Sequence, residues 1–229
     1  MLIFNEFSDF TQLSQTRAVS WLDLIRNTPA DQPCTFALAG GTTPGPLYRE
    51  FDALFAEAKP RPVQFISTDE RWVLDEDAQS NQRLFHRCFS SSANFWSLVS
   101  LKNDQSAPTT AVPAINTRIA LYCNHPFSAV ILGMGTDGHI ASLFPHAPEL
   151  LKDDTTTDCV AAYHPLSQQQ RISLSMSRLL KTNKVWLVIT GAEKRAVLEK
   201  AASDLASIAS PIGAFLAAAR CDVEVFWCP

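Results

Sequence analysis

Apolar residues in this chain fall into two rhythms. Short unbroken runs alternate with longer stretches in which apolar positions recur every three or four residues. The runs at 35–39, 63–67, 129–132, 160–163, 171–176, 185–189 and 223–227 predict strands. Leu13, Val19, Leu22 and Ile25 predict a helix over 11–25. Leu47, Phe51, Leu54 and Phe55 mark the face of a second, with Pro44 in a first turn that needs no N–H. Ser80 is placed to cap a third, which carries Leu84, Phe85, Cys88 and Phe89. Further helices are predicted at 113–123, 194–202 and 211–219, and the polar stretch 102–112 reads as a loop. Strands alternating with helices predict the α/β class: a Rossmann-like, mostly parallel sheet with helices on both faces. No repeat or low-complexity linker divides the chain, so residues 1–229 read as a single domain.

Composition narrows the range of partners. The 229 residues carry a formal net charge of -4 and no cluster of Lys and Arg, which argues against nucleic acid. No apolar run approaches the ~20 residues that span a bilayer, so no membrane contact is expected. The opening residues, Met1 to Phe7, contain Glu6 and no basic residue, unlike a secretory signal. Cysteines at 34, 88, 123, 159, 221 and 228 form no C-x-x-C pair. They read as reduced thiols in a cytoplasmic protein, with no zinc ribbon or redox motif.

In a parallel sheet, ligands gather at the carboxyl ends of strands. Gly40-Gly41-Thr42-Thr43, Asp69-Glu70-Arg71, Gly133 to His139 and Gly191 to Lys194 would all meet on that edge. The first precedes a helix start, where unsatisfied N–H groups favour phosphate. Its competing reading is a tight turn capped by Thr42 or Thr43, and it is not a P-loop. Arg71 offers a planar fork to a phosphate or carboxylate. Asp69 is suited to contact a substrate hydroxyl or orient another group; otherwise the triplet is a local salt-bridge cluster. Arg171 and Lys194 are candidates for a second cation, or else solvated charges.

His139 follows three glycines and Asp137 at a strand end. An unperturbed imidazole titrates near pH ~6.5, so a neutral base is present at neutral pH. His86, His125, His146 and His164 lack such a setting and read as surface or packing residues. Gly133 to Gly138 also fits G-x-G-x-x-G, but a dinucleotide site needs a helix running on from the third glycine. Pro145 and Pro148 interrupt it. No G-x-S-x-G elbow or H-E-x-x-H zinc helix occurs.

In order along the chain, Leu38-Ala-Gly-Gly-Thr-Thr-Pro44, Asp69-Glu-Arg-Trp-Val73, Ser80-Asn81, Leu132-Gly-Met-Gly-Thr-Asp-Gly-His-Ile-Ala-Ser-Leu-Phe-Pro145, Arg171-Ile-Ser-Leu-Ser175 and Gly191-Ala-Glu-Lys194 resemble the blocks of 6-phosphogluconolactonase. The resemblance runs from about residue 36 to the C-terminus. It places the chain in the glucosamine-6-phosphate isomerase/6-phosphogluconolactonase superfamily. The deaminases of that superfamily share both glycine turns, but after the His they carry a Phe-Asn-Glu-Pro type segment with a working Glu. Here Ser142-Leu-Phe-Pro145 has no acid, and Arg71-Trp72 follows Asp69-Glu70 where deaminases usually lack the Arg.

The resemblance implies hydrolysis of 6-phospho-D-glucono-1,5-lactone to 6-phospho-D-gluconate, a step of the oxidative pentose phosphate route, without metal or cofactor. The partner is then a small sugar phosphate lactone, and the protein a monomer or weak homo-oligomer. His139 would activate water, with Asp137 supporting the imidazolium and Asp69 a further catalytic candidate. Gly40, Gly41, Thr42, Arg71, Gly135, Arg171 and Lys194 would bind substrate and phosphate, and the glycine turns would stabilise the oxyanion. The family's Lys-Pro-Pro-rich segment before the Arg strand is replaced here by His164-Pro-Leu-Ser-Gln-Gln-Gln-Arg171. The Arg is kept, the Lys is not, and Lys194 is the candidate substitute. Two other readings remain: a sugar-phosphate isomerase or deaminase acting on glucosamine 6-phosphate with Asp69 as base, and a non-catalytic sugar-phosphate sensor. Such sensors usually carry a DNA-binding module, for which this chain has no basic helix.

Overall fold

The computed structural model describes residues 1–145, 147, 156–204 and 210–229. Its strands are β1 (Leu2–Glu6), β2 (Thr35–Leu38), β3 (Val63–Ser67), β4 (Asp69–Arg71), β5 (Trp96–Val99), β6 (Ala129–Leu132), β7 (Cys159–Tyr163), β8 (Gln170–Leu174), β9 (Val185–Thr190) and β10 (Val223–Cys228). Its helices are α1 (Phe10–Asn27), α2 (Gly45–Ala58), α3 (Asn81–Cys88), α4 (Pro108–Tyr122), α5 (Met176–Leu180), α6 (Ala192–Ser203) and α7 (Pro211–Ala218). Seven described strands form one parallel sheet in the order β1-β10-β9-β6-β2-β3-β5, as the α/β reading expects.

Alternation along the central strands feeds two cores. Phe36, Leu38, Ala129, Ile131, Trp186, Val188 and Phe226 face one way, towards residues of α1, α2 and α3. That core is aromatic, with Trp21 stacked on Phe51 at 3.9 Å between ring centroids. Ala37, Val130, Leu132, Val185, Leu187 and Val225 face the other way, towards mostly aliphatic residues of α4, α5 and α7.

Three expectations are corrected. β4, β8 and β7 leave the main sheet and form a separate antiparallel one. The predicted strand at 171–176 ends at Leu174, because Ser175 caps α5 by accepting from the Arg178 N–H. The predicted loop at 102–112 gives way to α4 at Pro108. Pro108 lies in the first turn, where its missing N–H costs nothing, and the interior Pro113 forfeits one backbone bond. Buried Ala111, Ile115 and Ile119, spaced at four, hold that helix on the aliphatic core.

Candidate active site

From the adjacent strands β2 and β6 the sheet runs in opposite directions, to β3 and β5 on one side and to β9 and β10 on the other. This is a topological switch point, where α/β sheets leave a crevice for ligands. Gly40 to Thr43 follow β2 and Gly133 to Gly138 follow β6, so the two turns border one cleft. The cleft, about 260 Å³, is also lined by Asp69, Arg71, His139, Arg171 and Lys194.

The first turn is open to a ligand. α2 starts after Pro44 with no side-chain cap, so neither Thr42 nor Thr43 plays the capping role. The N–H groups of Gly40, Gly41, Thr42 and Thr43 have no partner among the described residues. Gly41 has φ +89°, a conformation side chains disfavour. Gly40 is required for a different reason: a Cβ there would fall 1.9 Å from Asn81 Oδ1.

The second turn is closed on itself. The Gly135 N–H donates to the His139 carbonyl at 2.9 Å, and the Gly138 N–H to the Gly135 carbonyl at 3.0 Å. These two donors are spent inside the turn, whereas the Gly133 N–H has no partner among the described residues, and Gly133 and Gly135 both line the cleft. A Cβ on Gly135 would fall 2.3 Å from His139 Nδ1 and 2.5 Å from Asp137 Oδ1. Gly135 leaves room for the side chains of its own turn. Asp137 Oδ1 lies 2.6 Å from His139 Nδ1 and also accepts the His139 backbone N–H at 3.1 Å. Partial burial raises the Asp137 carboxyl, but these His139 contacts and the imidazole's charge outweigh it and hold the group below its ordinary range. Asp137 is not among the residues lining the cleft; His139 is. Residues 140–143 fold into a tight turn with an Ile140–Leu143 bridge, so no helix follows Gly138 and the dinucleotide reading fails.

Between the turns stand two cations. Arg71 and Arg171 are directly opposed in the antiparallel β4–β8 pair. Like charges so placed repel unless an anion lies between them. Arg171 Nη1 lies 3.4 Å from Asp69 Oδ2, and its side chain is 11% exposed. Burial lowers the Arg171 pKa, Asp69 opposes that, and Arg71 adds to it. Lys194, in the first turn of α6, makes no ion pair among the described residues.

Asp69 is enclosed rather than free. Its Oδ2 accepts from Ser142 Oγ at 2.5 Å, its Oδ1 from Asn81 Nδ2 at 3.3 Å. Neighbouring Glu70 points away from the cleft and accepts the N–H groups of Arg71, Asn81 and Gln82, each at 2.8 Å, at the start of α3. Burial raises the Glu70 pKa despite those bonds and nearby Lys102. Asn81 and Ser142 were named in the sequence only as members of motifs; their links to Asp69 span 12 and 73 residues and carry no local signal. His164 is a packing residue, as expected: its ring packs on Phe144 at 5.5 Å, and Phe144 packs on His139 at 4.9 Å. Burial, followed by Arg171 and His139, lowers the His164 pKa. His86 packs on Trp96, and His125 lies 2.9 Å from Thr35 Oγ1. His146 and Pro148 fall outside the described residues. Among the described residues no cluster of His, Cys, Asp and Glu could hold a metal, and no helix is long and apolar enough to cross a membrane.

Known proteins match this chain over most of its length. A 6-phosphogluconolactonase of Caulobacter vibrioides is 34% identical over 84% of this chain and 82% of its own. One of Pseudomonas putida is 32% identical over 98% of this chain and 92% of its own. The crystal structure of a 6-phosphogluconolactonase from Shewanella baltica superposes with a TM-score of 0.89 at 28% identity, covering 100% of this chain and 98% of that one. A family profile described as glucosamine-6-phosphate isomerases/6-phosphogluconolactonase matches residues 8–227. The chain belongs to the glucosamine-6-phosphate isomerase/6-phosphogluconolactonase family.

Proposed function

We propose that this protein hydrolyses 6-phospho-D-glucono-1,5-lactone to 6-phospho-D-gluconate in the oxidative pentose phosphate route. The observation that carries the reading is one imidazole, fixed at Nδ1 by Asp137, on a cleft that Arg71, Arg171 and Lys194 also line. With Nδ1 engaged, Nε2 is the nitrogen left for chemistry. A δ-lactone is an activated ester, so direct attack by water suffices. Neutral His139 takes the proton of the attacking water, and Asp137 stabilises the imidazolium that results. The oxyanion is served by a backbone N–H of the turn after β6 other than those of Gly135 and Gly138, which are spent; the Gly133 N–H has no partner among the described residues. Arg71, Arg171, Lys194 and the uncapped start of α2 hold the phosphate. That remote binding energy places the carbonyl against His139. All these groups come from one chain, so a monomer is competent, and six free thiols suit the cytoplasm.

The same geometry disfavours deamination. A base acting on a sugar carbon needs a free carboxylate, whereas both Asp69 oxygens are occupied by Ser142, Asn81 and Arg171. Asp69 is a positioning residue for Arg171 in this reading. The test is hydrolysis of freshly generated 6-phosphogluconolactone, with spontaneous hydrolysis subtracted and unphosphorylated gluconolactone as control. Saturable turnover with strong preference for the phosphorylated lactone is expected. Ammonia release from glucosamine 6-phosphate without lactone turnover would overturn the reading.

A further inference from the structure

The two opposed arginines are tied together by a pair of amides. Arg71 Nη1 donates to the Gln79 carbonyl at 3.0 Å. Arg171 Nη2 donates to Gln169 Oε1 at 3.2 Å. Gln169 Nε2 then donates to Gln79 Oε1 at 2.8 Å, which closes a circuit from one guanidinium to the other. The Nε atoms of both arginines are buried and have no partner among the described residues. Both arginines line the cleft, and Arg71 Nη2, which has no partner among the described residues, is the donor open to an incoming anion.

We propose that Gln79 and Gln169 act as a neutral clamp that presets Arg71 and Arg171 for the phosphate of the substrate, an inference that rests on the phosphate reading above. The chemistry favours amides here. A carboxylate at position 169 would also orient Arg171, but it would cancel the charge that the phosphate needs. An amide oxygen accepts the guanidinium N–H and leaves the charge in place. Long, free arginine side chains lose rotamer entropy when they grip a ligand, and a clamp moves that loss from binding to folding. Gln169 lies in the segment where the family's Lys is missing. The clamp uses that segment to fix two cations that stand beside Lys194 on the cleft.

The test compares wild type with Q169A, Q79A, the double variant and Q169E, using S167A from the same turn as control. Gln79 acts on Arg171 only through Gln169, so the two effects must not multiply. Q169A should raise KM for the phosphorylated lactone about 3- to 10-fold with kcat within about 2-fold. Q79A should move KM in the same direction by less, and the double variant should match Q169A. Q169E should bind at least as weakly as Q169A. Binding of inorganic phosphate, measured by calorimetry, should weaken in parallel. An unchanged KM in folded Q169A, a fall in kcat alone, or effects that multiply would overturn the clamp. Should Q169A fail to fold, exposed Gln79 carries the same test, and an unchanged KM in Q79A overturns it. Wild type that binds phosphate but turns over no lactone would sink the functional reading and leave the clamp to the phosphate titration. No phosphate binding by wild type would overturn both.

Discussion

The turns after β2 and β6 sit side by side at the switch point and are both rich in glycine, yet they are built for opposite ends. The first keeps its backbone donors free: four successive N–H groups have no partner among the described residues, and α2 has no side-chain cap. The second spends the donors of Gly135 and Gly138 on itself and uses Gly135 to admit the Asp137–His139 pair. One turn is a cradle for a ligand; the other is a mount for a reactive side chain. Glycine alone does not say which. What separates them is where a Cβ would go: at Gly41 into open space at φ +89°, at Gly135 into the imidazole.

Breaking the mount should give the largest effects, and these should fall on kcat. His139→Ala is expected to lower kcat by roughly 10²–10⁴-fold, as loss of a general base does, with KM changed far less. Near-normal kcat in steady-state assays would remove His139 from the chemistry. Gly135→Ala should cost about 10²-fold in kcat, because the methyl must displace the ring and even ~1 Å of misplacement is that expensive. Gly41→Ala provides the contrast. Forcing a side chain into the left-handed region costs about 1–2 kcal/mol, visible in thermal melts, and the kinetic loss should appear in KM. If both alanines lowered kcat alike, the division between cradle and mount would fail.

How much of this was legible beforehand follows from the range of the interactions. The central strands were readable because each buries both faces and so forms an unbroken apolar run, as in Ala129–Leu132. β4 was not, because Asp69-Glu70-Arg71 has no apolar residue; it is a strand only because it pairs with β8, a hundred positions away. Edge strands β1 and β5 are half-buried: Ser97 interrupts β5, while β1 carries a short apolar run, Leu2-Ile3-Phe4, that the strand reading passes over. His139, Asp137 and the two arginines were visible by type and place. Their supports were not: Asn81 against Gly40, Ser142 on Asp69, and Phe144 between two histidines are contacts between turns that only the folded sheet edge brings together. Gly135 lines the cleft as a substrate contact would, but its second task, leaving room for Asp137 and His139, is invisible in the sequence.

Asp137→Asn sharpens the mount without removing its base. The amide still accepts from Nδ1, but its charge is gone, so the imidazolium loses support and kcat should fall roughly 10-fold. The stability effect has a definite sign. A carboxylate whose native pKa is depressed stabilises the fold above its unfolded value, and loses that stabilisation as pH falls through the native one. The wild type should therefore melt slightly above Asp137→Asn at pH 7, and the gap should close below about pH 3.8, the ordinary carboxylate range. The gap is small because the Asp137 side chain is 45% exposed. A gap that widened on acidification would contradict the pairing.

The smallest effect expected tests the cradle. Thr42 is exposed, and its hydroxyl has no hydrogen-bond partner among the described residues. If the backbone does the holding, Thr42→Ala removes a hydroxyl and keeps the N–H, so KM should rise by no more than about 2- to 3-fold with kcat unchanged. A tenfold rise in KM would mean that the hydroxyl grips the phosphate directly. The first turn would then be a side-chain site like the arginine pair, and its likeness to a helix N-terminus would lose its meaning.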